Sequence, residues 1–132
     1  MSDEVIPNPS DSVLRWASLG QAAAAGELQL ADGVAERCAQ HCDRFIEKLE
    51  ILKEQAMTLT VRGSFGTLPS GIAVAEKLSL LAVGGEYSMV QALSDHIAVV
   101  TEMKAMFMQI GASYAATEDA NAASFGSIES EL

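Results

Sequence analysis

The stretch VRGSFGTLPSGI, residues 61–72, separates two long helical patterns and decides how the chain folds. Glycine and proline are concentrated in it, at Gly63, Gly66, Pro69 and Gly71. A helix interior tolerates such a run only at a high cost in free energy. The stretch therefore predicts a turn that reverses the chain over about residues 62–70, with Ser64, Phe65 and Gly66 at its centre.

Before this turn, from about Glu27 to Val61, apolar residues recur every three or four positions. This spacing predicts one long amphipathic helix whose charged face lies in water. A shorter helix is predicted upstream, from Val13 to about Leu19. Gly20 and the alanine run after it leave open whether residues 20–26 join the two helices or separate them.

After the turn, a second long helix is predicted from about Gly71 to Ala116. Gly84 and Gly85 lie inside its pattern, and we expect a continuous helix with a local irregularity there. The chain thus divides into a flexible acidic arm (residues 1–12), a helical domain (13–117) and a flexible acidic tail (118–132).

The fold class that follows is all-α, an antiparallel hairpin of two long helices with a short N-terminal helix. The second helix has a wider apolar surface than one partner helix can cover. Either the N-terminal segment folds back onto it, or a second chain completes a four-helix bundle. The residues predicted to form that partner interface are Phe45, Leu49, Leu52, Leu78, Leu81, Leu93, Ile97, Val100, Met103, Phe107 and Ile110.

Charge and hydropathy exclude several classes of partner. The 132 residues carry a formal net charge of −10, which opposes nonspecific binding to nucleic acid and to anionic membranes. No segment approaches the roughly 20 consecutive apolar residues of a membrane span. The acidic start MSDEVIPNPSDS is the opposite of a cationic secretory leader, so we expect that any export uses a route without a conventional signal peptide.

The segment CAQHC places Cys38, His41 and Cys42 on one turn of a helix, as a metal site could use. A structural zinc needs four ligands, and His96 is the obvious candidate for the fourth. We favour the simpler interpretation, two small core residues beside a surface or boundary histidine, and expect no metal and no cofactor. No motif for nucleophilic catalysis or phosphate binding is present, so no catalytic residue is assigned and the protein is not expected to be an enzyme.

The segment IGASYAATEDANAASFG, from Ile110 to Gly126, places Tyr114 and Glu118 one helical turn apart where the core-forming pattern ends. A structural role is open to both residues, because Tyr114 could close the bundle with its hydroxyl in water and Glu118 could simply be solvated. A recognition role is open as well, since the pair offers one apolar and one negative feature on the same helix face.

Two long helices, a glycine-bearing turn and a Tyr-x-x-x-Glu pair after the second helix resemble the WXG superfamily of type VII secretion substrates, over about Glu27 to Asp119. The SFGTLPSG segment is most similar to the excreted-virulence-factor (EspC-like) branch of actinobacterial substrates, in which a Phe-Gly turn stands at the hairpin. The family's Trp-x-Gly turn falls on residues 64–66, where Ser64 replaces the tryptophan and Gly66 matches the glycine.

The resemblance implies that Tyr114 and Glu118 form a C-terminal export signal read by a type VII secretion ATPase. It implies a nonenzymatic protein, secreted or held in the cell envelope, that pairs with itself or with a related helical-hairpin protein. One alternative is a cytoplasmic adaptor that targets a larger type VII toxin. Another is a metal- or ligand-binding helical bundle in which the four Cys and His side chains converge.

Overall fold

The computed structural model describes residues 8–59 and 63–131. These residues form four helices: α1 (Pro9–Ala24), α2 (Val34–Met57), α3 (Pro69–Ala82) and α4 (Met89–Ser130). They contain no β-strand, which confirms the predicted all-α class. None of the helices in the described ranges combines the length and the apolar character that crossing a membrane requires.

The contacts group the chain into two compact units. The first, which we call the terminal unit, consists of Met1–Asp43 and Val99–Leu132. The second, the middle unit, is Arg44–Ala98. Helices α2 and α4 each contribute residues to both units.

In the terminal unit, α1 runs parallel to the middle of α4. Gly20 lies close to the Met106 backbone, and further along both helices the Ser113 hydroxyl donates a 2.7 Å hydrogen bond to the Ala23 carbonyl. The start of α2 runs antiparallel to the same stretch of α4. Lys104 on α4 pairs with Asp43 on α2, and Gly111, further along α4, lies against Glu36, which comes earlier in α2. The N-terminal segment therefore folds back and supplies a third helix to this unit.

Small side chains let these three helices approach closely. The core consists of Ala23, Ala35, Met106 and Ile110, and partly buried apolar residues pack against it, namely Trp16, Leu28, Leu30 and Phe107. A Cβ atom on Gly111 would come within 3.0 Å of the Glu36 carboxylate. Burial of apolar surface at such contacts stabilises the unit by about 25 cal/mol per Å².

Helix α1 is longer than the predicted Val13–Leu19. It begins at Pro9, and the side chain of Asn8 caps it by accepting a 3.0 Å hydrogen bond from the Ser10 amide. Gly20 does not end the helix, and α4 passes beside it, since a Cβ atom at Gly20 would lie 3.9 Å from the Met106 Cα. The open question about residues 20–26 is answered, since α1 ends at Ala24 and Gly26 then adopts a left-handed conformation with φ of 78°.

The prediction that a helix starts at Glu27 is wrong, because α2 begins only at Val34. Residues 27–33 form a non-helical linker that ends at Gly33, whose φ of 76° is incompatible with a right-handed helix. Leu28 and Leu30 in this linker pack against the core cluster. Their spacing matched a helical pattern, because buried residues of a linker can by chance continue the three- or four-residue apolar spacing of the helix that follows.

The prediction of one continuous helix from Gly71 to Ala116 is also wrong. The chain leaves the helical conformation between Ala82 and Met89, where Gly84 and Tyr87 have positive φ angles of 81° and 47°. A new helix then starts, with the Ser88 hydroxyl accepting a 3.3 Å hydrogen bond from the Gln91 amide. Helix α4 continues to Ser130, so the described part of the expected tail is helical well beyond Ala116.

In the middle unit, Ser64, Phe65 and Gly66 lie between α2 and α3 and outside any helix. The backbone of Phe65 packs so closely on Gly71 that a Cβ there would come within 2.1 Å of the Phe65 carbonyl oxygen. Val61 and Arg62, at the start of the predicted turn, lie outside the described residues.

Much of the middle unit's apolar surface is exposed. The exposed large apolar residues of this unit are Phe45, Ile51, Leu52, Met57, Leu59, Phe65, Leu68, Ile72, Val74, Leu78, Leu80, Leu81, Tyr87 and Met89. Where such exposed apolar residues form one contiguous patch, the patch is typical of a region that binds another protein.

Candidate functional site

Tyr114 and Glu118 border one groove of about 150 Å³ in the terminal unit. One wall of the groove is α4, and the other is the first part of the connection between α1 and α2. Its lining residues are Gly26, Leu28, Gln29, Ile110, Ser113, Tyr114, Thr117 and Glu118. The two residues singled out by their spacing in the sequence therefore share a concave surface with residues far away in the chain.

Local structure holds this groove open and fixes its walls. The 2.7 Å hydrogen bond from Ser113 to the Ala23 carbonyl joins α4 to the end of α1, directly beside Tyr114. Gly26 then turns the chain with a positive φ, which brings Leu28 back against the core. Ile110 is buried at the base, whereas Tyr114 keeps 38% of its surface exposed.

Two carboxylates, those of Glu118 and Asp32, lie close enough to the Tyr114 hydroxyl to affect its ionisation. The pKa of this phenol is raised above its ordinary value, first by the Glu118 carboxylate, then by that of Asp32, and then by partial burial. Each carboxylate disfavours a phenolate close to it. Tyr114 therefore remains neutral at physiological pH, with its hydroxyl available as a hydrogen-bond donor and acceptor.

This arrangement offers an aromatic ring and two carboxylates that another protein's side chains could contact. An exposed aromatic ring beside carboxylates can receive an apolar side chain, or a Lys or Arg side chain that contacts the ring face and pairs with the acid. The other two hydroxyl groups of the groove donate hydrogen bonds to main-chain carbonyls, that of Ser113 to Ala23 and that of Thr117 to Ser113.

The linker contributes features that the sequence pattern did not reveal. Leu28 and Gln29 line the groove, and Asp32 acts on Tyr114 from the same segment. The helix predicted from Glu27 onward would not have placed these three residues there. The usable signal is the pair of glycines at Gly26 and Gly33, which bracket the linker and mark it as non-helical.

The residues predicted to form the partner interface divide into three groups. Phe45, Leu52, Leu78 and Leu81 are exposed, all in the middle unit. Leu93, Ile97, Met103 and Phe107 are half-buried. Leu49, Val100 and Ile110 are buried within the chain itself, so their side chains are available to a partner only if the packing around them changes.

The Cys and His residues of the CAQHC segment differ in how exposed they are. Cys38 is half-buried and Cys42 is buried, both as free thiols, whereas His41 is exposed. Burial and the nearby Cys38 and Asp43 raise the pKa of Cys42, against a smaller opposing effect of Lys104, so the reactive thiolate is disfavoured. Within residues 8–59 and 63–131, no three His, Cys, Asp or Glu side chains come together as metal ligands would.

A second groove, of about 400 Å³, lies between α2 and α4 in the terminal unit. It is lined by Glu36, Ala39, Gln40, Asp43, Lys104, Phe107, Met108, Gly111 and Ala112. The ion pair between Lys104 and Asp43, at 2.5 Å, occupies part of its wall. This groove is more open than the one at Tyr114, and no tyrosine lines it.

No protein-family model, curated protein or solved structure matches this chain. The interpretation of function therefore depends on the geometry of the Tyr114 groove and on the sequence motifs themselves.

Proposed function

We propose that this chain is a small helical-hairpin protein exported by a type VII secretion system and acting through protein contacts, outside the cell or in its envelope. The observation that carries the proposal is the position of Tyr114 and Glu118 on one groove near the end of the packed helices. In the proposal, the secretion ATPase reads this pair as an export signal.

Two further features support the assignment to the WXG superfamily. The Ser64-Phe65-Gly66 segment lies between helices, at the place where that family has its Trp-x-Gly turn. Helices α2 and α4 run antiparallel where the Lys104–Asp43 ion pair joins them. Because Ser64 stands in place of the tryptophan, any role that the tryptophan has in the family must be performed here by other residues.

We further propose that the exposed apolar residues of the middle unit pair with a second helical-hairpin chain, identical or related, to complete a four-helix bundle. Phe45, Leu52, Leu78 and Leu81 are the predicted interface residues whose side chains are free to make such contacts. The same exposed surface also favours the second candidate function, a cytoplasmic adaptor that binds a larger type VII toxin.

Substitution of the signal residues tests the export proposal. In a host with the cognate secretion system, Tyr114→Ala and Glu118→Gln should each shift the protein from the culture supernatant to the cell lysate, by tenfold or more if each loss costs about 1.4 kcal/mol of recognition. Asp119→Asn is the matched control. It removes the acid next to Glu118 in the sequence, which points about 100° away from Glu118 around the helix axis.

Three outcomes separate the candidates. Retention of both signal variants with normal export of Asp119→Asn supports the proposal. Export of all variants at the wild-type level overturns the role of the pair. If export of a co-expressed toxin depends on Tyr114 while this chain itself stays inside the cell, the adaptor function is favoured.

A further inference from the structure

The second groove of the terminal unit, between α2 and α4, has the composition of a small-molecule site. Its apolar lining consists of Ala39, Phe107, Met108, Gly111 and Ala112. Met108 keeps 57% of its surface exposed and Phe107 is half-buried, so this lining can be reached from solvent. Pockets for small ligands are mostly apolar, with a few polar groups that fix the orientation of the ligand. The groove's volume of about 400 Å³ falls within their range of about 300–1,000 Å³.

The charged groups of the groove differ in whether they are paired. Asp43 forms an ion pair with Lys104, so these two charges neutralise each other. Glu36 also lines the groove, and within the described part of the chain no basic side chain forms an ion pair with it. The basic residue next to it, Arg37, places its guanidinium beside Gly33 instead. The groove therefore offers one carboxylate whose charge a ligand could compensate.

Close packing on Gly111 determines where that carboxylate lies. A Cβ atom on Gly111 would lie 3.0 Å from Oε1 of Glu36, so the carboxylate occupies space that a side chain at residue 111 would take up. Glu36 and Asp43 are seven residues apart on α2, about 10.5 Å along the helix axis. The groove thus has a carboxylate at one end and a neutral ion pair at the other, with apolar surface between them.

These features specify the charge and the size of the occupant. The unpaired carboxylate and the chain's formal net charge of −10 favour a cation over a neutral or anionic molecule. The apolar lining favours a cation that carries an apolar body. Nine residues line the groove, whereas a stable protein interface takes about 20–30 residues from each side, so the surface suits a small molecule better than a protein partner. A second copy is disfavoured as well, because it would bring the same net negative charge.

We propose that this groove binds a small organic amine with an apolar or aromatic body, whose ammonium group pairs with Glu36 and whose body contacts Phe107 and Met108. An ammonium group forms charge-assisted hydrogen bonds with a carboxylate, and an aromatic body packs favourably on phenylalanine and methionine side chains. The groove shares no lining residue with the groove at Tyr114. The inference goes beyond the proposed export function and does not depend on it.

The test is a titration of the isotope-labelled full-length protein followed by NMR, which gives the affinity and the location of binding together. The probes are phenylpropylamine, phenylpropanol and phenylpropanoate, each with the phenyl ring at the end of the chain opposite to the polar group. The amine should cause saturable shifts at the amides of the groove residues. It should bind about three- to fivefold more tightly than the alcohol, the gain expected from one exposed charge pair, and the anion should bind least tightly.

Substitutions in the groove test the assigned contacts. Glu36→Gln keeps the shape of the side chain but removes its charge, so the amine should lose its advantage over the alcohol. Gly111→Ala displaces the carboxylate and should weaken binding of the amine more than that of the alcohol. Ala112→Leu fills the groove and should weaken binding of both. Glu47→Gln is the matched control, since Glu47 is exposed on the same helix and does not line the groove. It should bind as the wild type does, and the spectrum of each variant without a probe reports whether the fold is retained.

Four outcomes would overturn this inference. Equal affinity of the wild type for the amine and the alcohol would contradict pairing with Glu36, and the absence of saturable shifts with all three probes would contradict the site itself. Shifts of the groove amides on dilution of the protein alone would show that a second copy is the occupant. Shifts caused by an amphipathic leucine–lysine helix peptide, but by none of the probes, would show that a partner's helix is the occupant. None of these outcomes bears on export.

Discussion

At the scale of single residues, Tyr114 and Glu118 are the part of the site that can be predicted from the sequence, because helix geometry alone puts residues four apart on one face. Asp32 and the linker residues Leu28 and Gln29 could not be predicted in the same way. They reach the groove through a backbone turn at Gly26 that depends on tertiary packing. Local spacing thus identifies two of the eight residues that line the groove, and the fold supplies the rest.

The electrostatic coupling of Tyr114 gives a prediction at this scale. Glu118→Gln should lower the pKa of Tyr114, because the first cause of its elevation is the Glu118 carboxylate. Ultraviolet absorbance titration in a Tyr87→Phe background, which leaves one tyrosine, measures that pKa directly. Asp119→Asn should change it less, and an unchanged pKa in Glu118→Gln would contradict the coupling.

The hydrogen bond beside the groove gives a second prediction. Ser113→Ala removes the hydroxyl that donates to the Ala23 carbonyl, and the free energy of unfolding should fall by about 0.5–1.5 kcal/mol. Urea unfolding followed by circular dichroism measures this loss. Ser130→Ala is the control, because Ser130 bonds only to the nearby Ser127 carbonyl at the end of α4. An equal effect of both substitutions would show that the contact with α1 does not hold the groove.

At the scale of elements, apolar periodicity predicted that helices exist but not where they end. The pattern of the second half passes across residues 83–88 without interruption, yet the chain is non-helical there. The break depends on backbone angles at Gly84 and Tyr87, and apolar spacing carries no information about them. Likewise, Leu28 and Leu30 fit a helical pattern although they pack from a linker.

The α3–α4 junction gives a prediction at this scale. A Cβ atom on Gly85 would lie 2.3 Å from the Leu80 carbonyl oxygen, so Gly85→Ala must displace the backbone. We expect the free energy of unfolding to fall by about 1–3 kcal/mol. Gly126→Ala, where a Cβ meets open space, should leave it unchanged or slightly higher. Thermal or urea unfolding of the two variants measures the difference, and equal stability would argue against this turn.

At the scale of the whole molecule, the sequence predicted an all-α chain and a need for more than two packed helices. The terminal unit meets part of that need with α1, whose Trp16 packs against the core formed with α4. The exposed apolar surface of the middle unit is the part that this chain does not cover. Periodicity does not identify the chain that covers this surface, because residues of a partner interface and residues of an internal core give the same apolar spacing.

Self-association gives the prediction at this scale. If the partner is a second copy, the wild type should sediment as a dimer in analytical ultracentrifugation. Phe45→Glu with Leu81→Glu should then sediment as a monomer, because two charges would be buried unpaired in the interface. Circular dichroism of the variant controls for folding. A monomeric wild type would contradict homodimerisation and direct the search to a related hairpin chain.

The export proposal is tested most directly by the amount of wild-type protein in the culture supernatant, relative to the cell lysate, in a host with and without an active type VII ATPase. We predict that the protein is found outside only when the ATPase is active, with a cytoplasmic marker protein absent from the same supernatant. A protein that stays inside in both strains, or leaves both equally, would contradict type VII export.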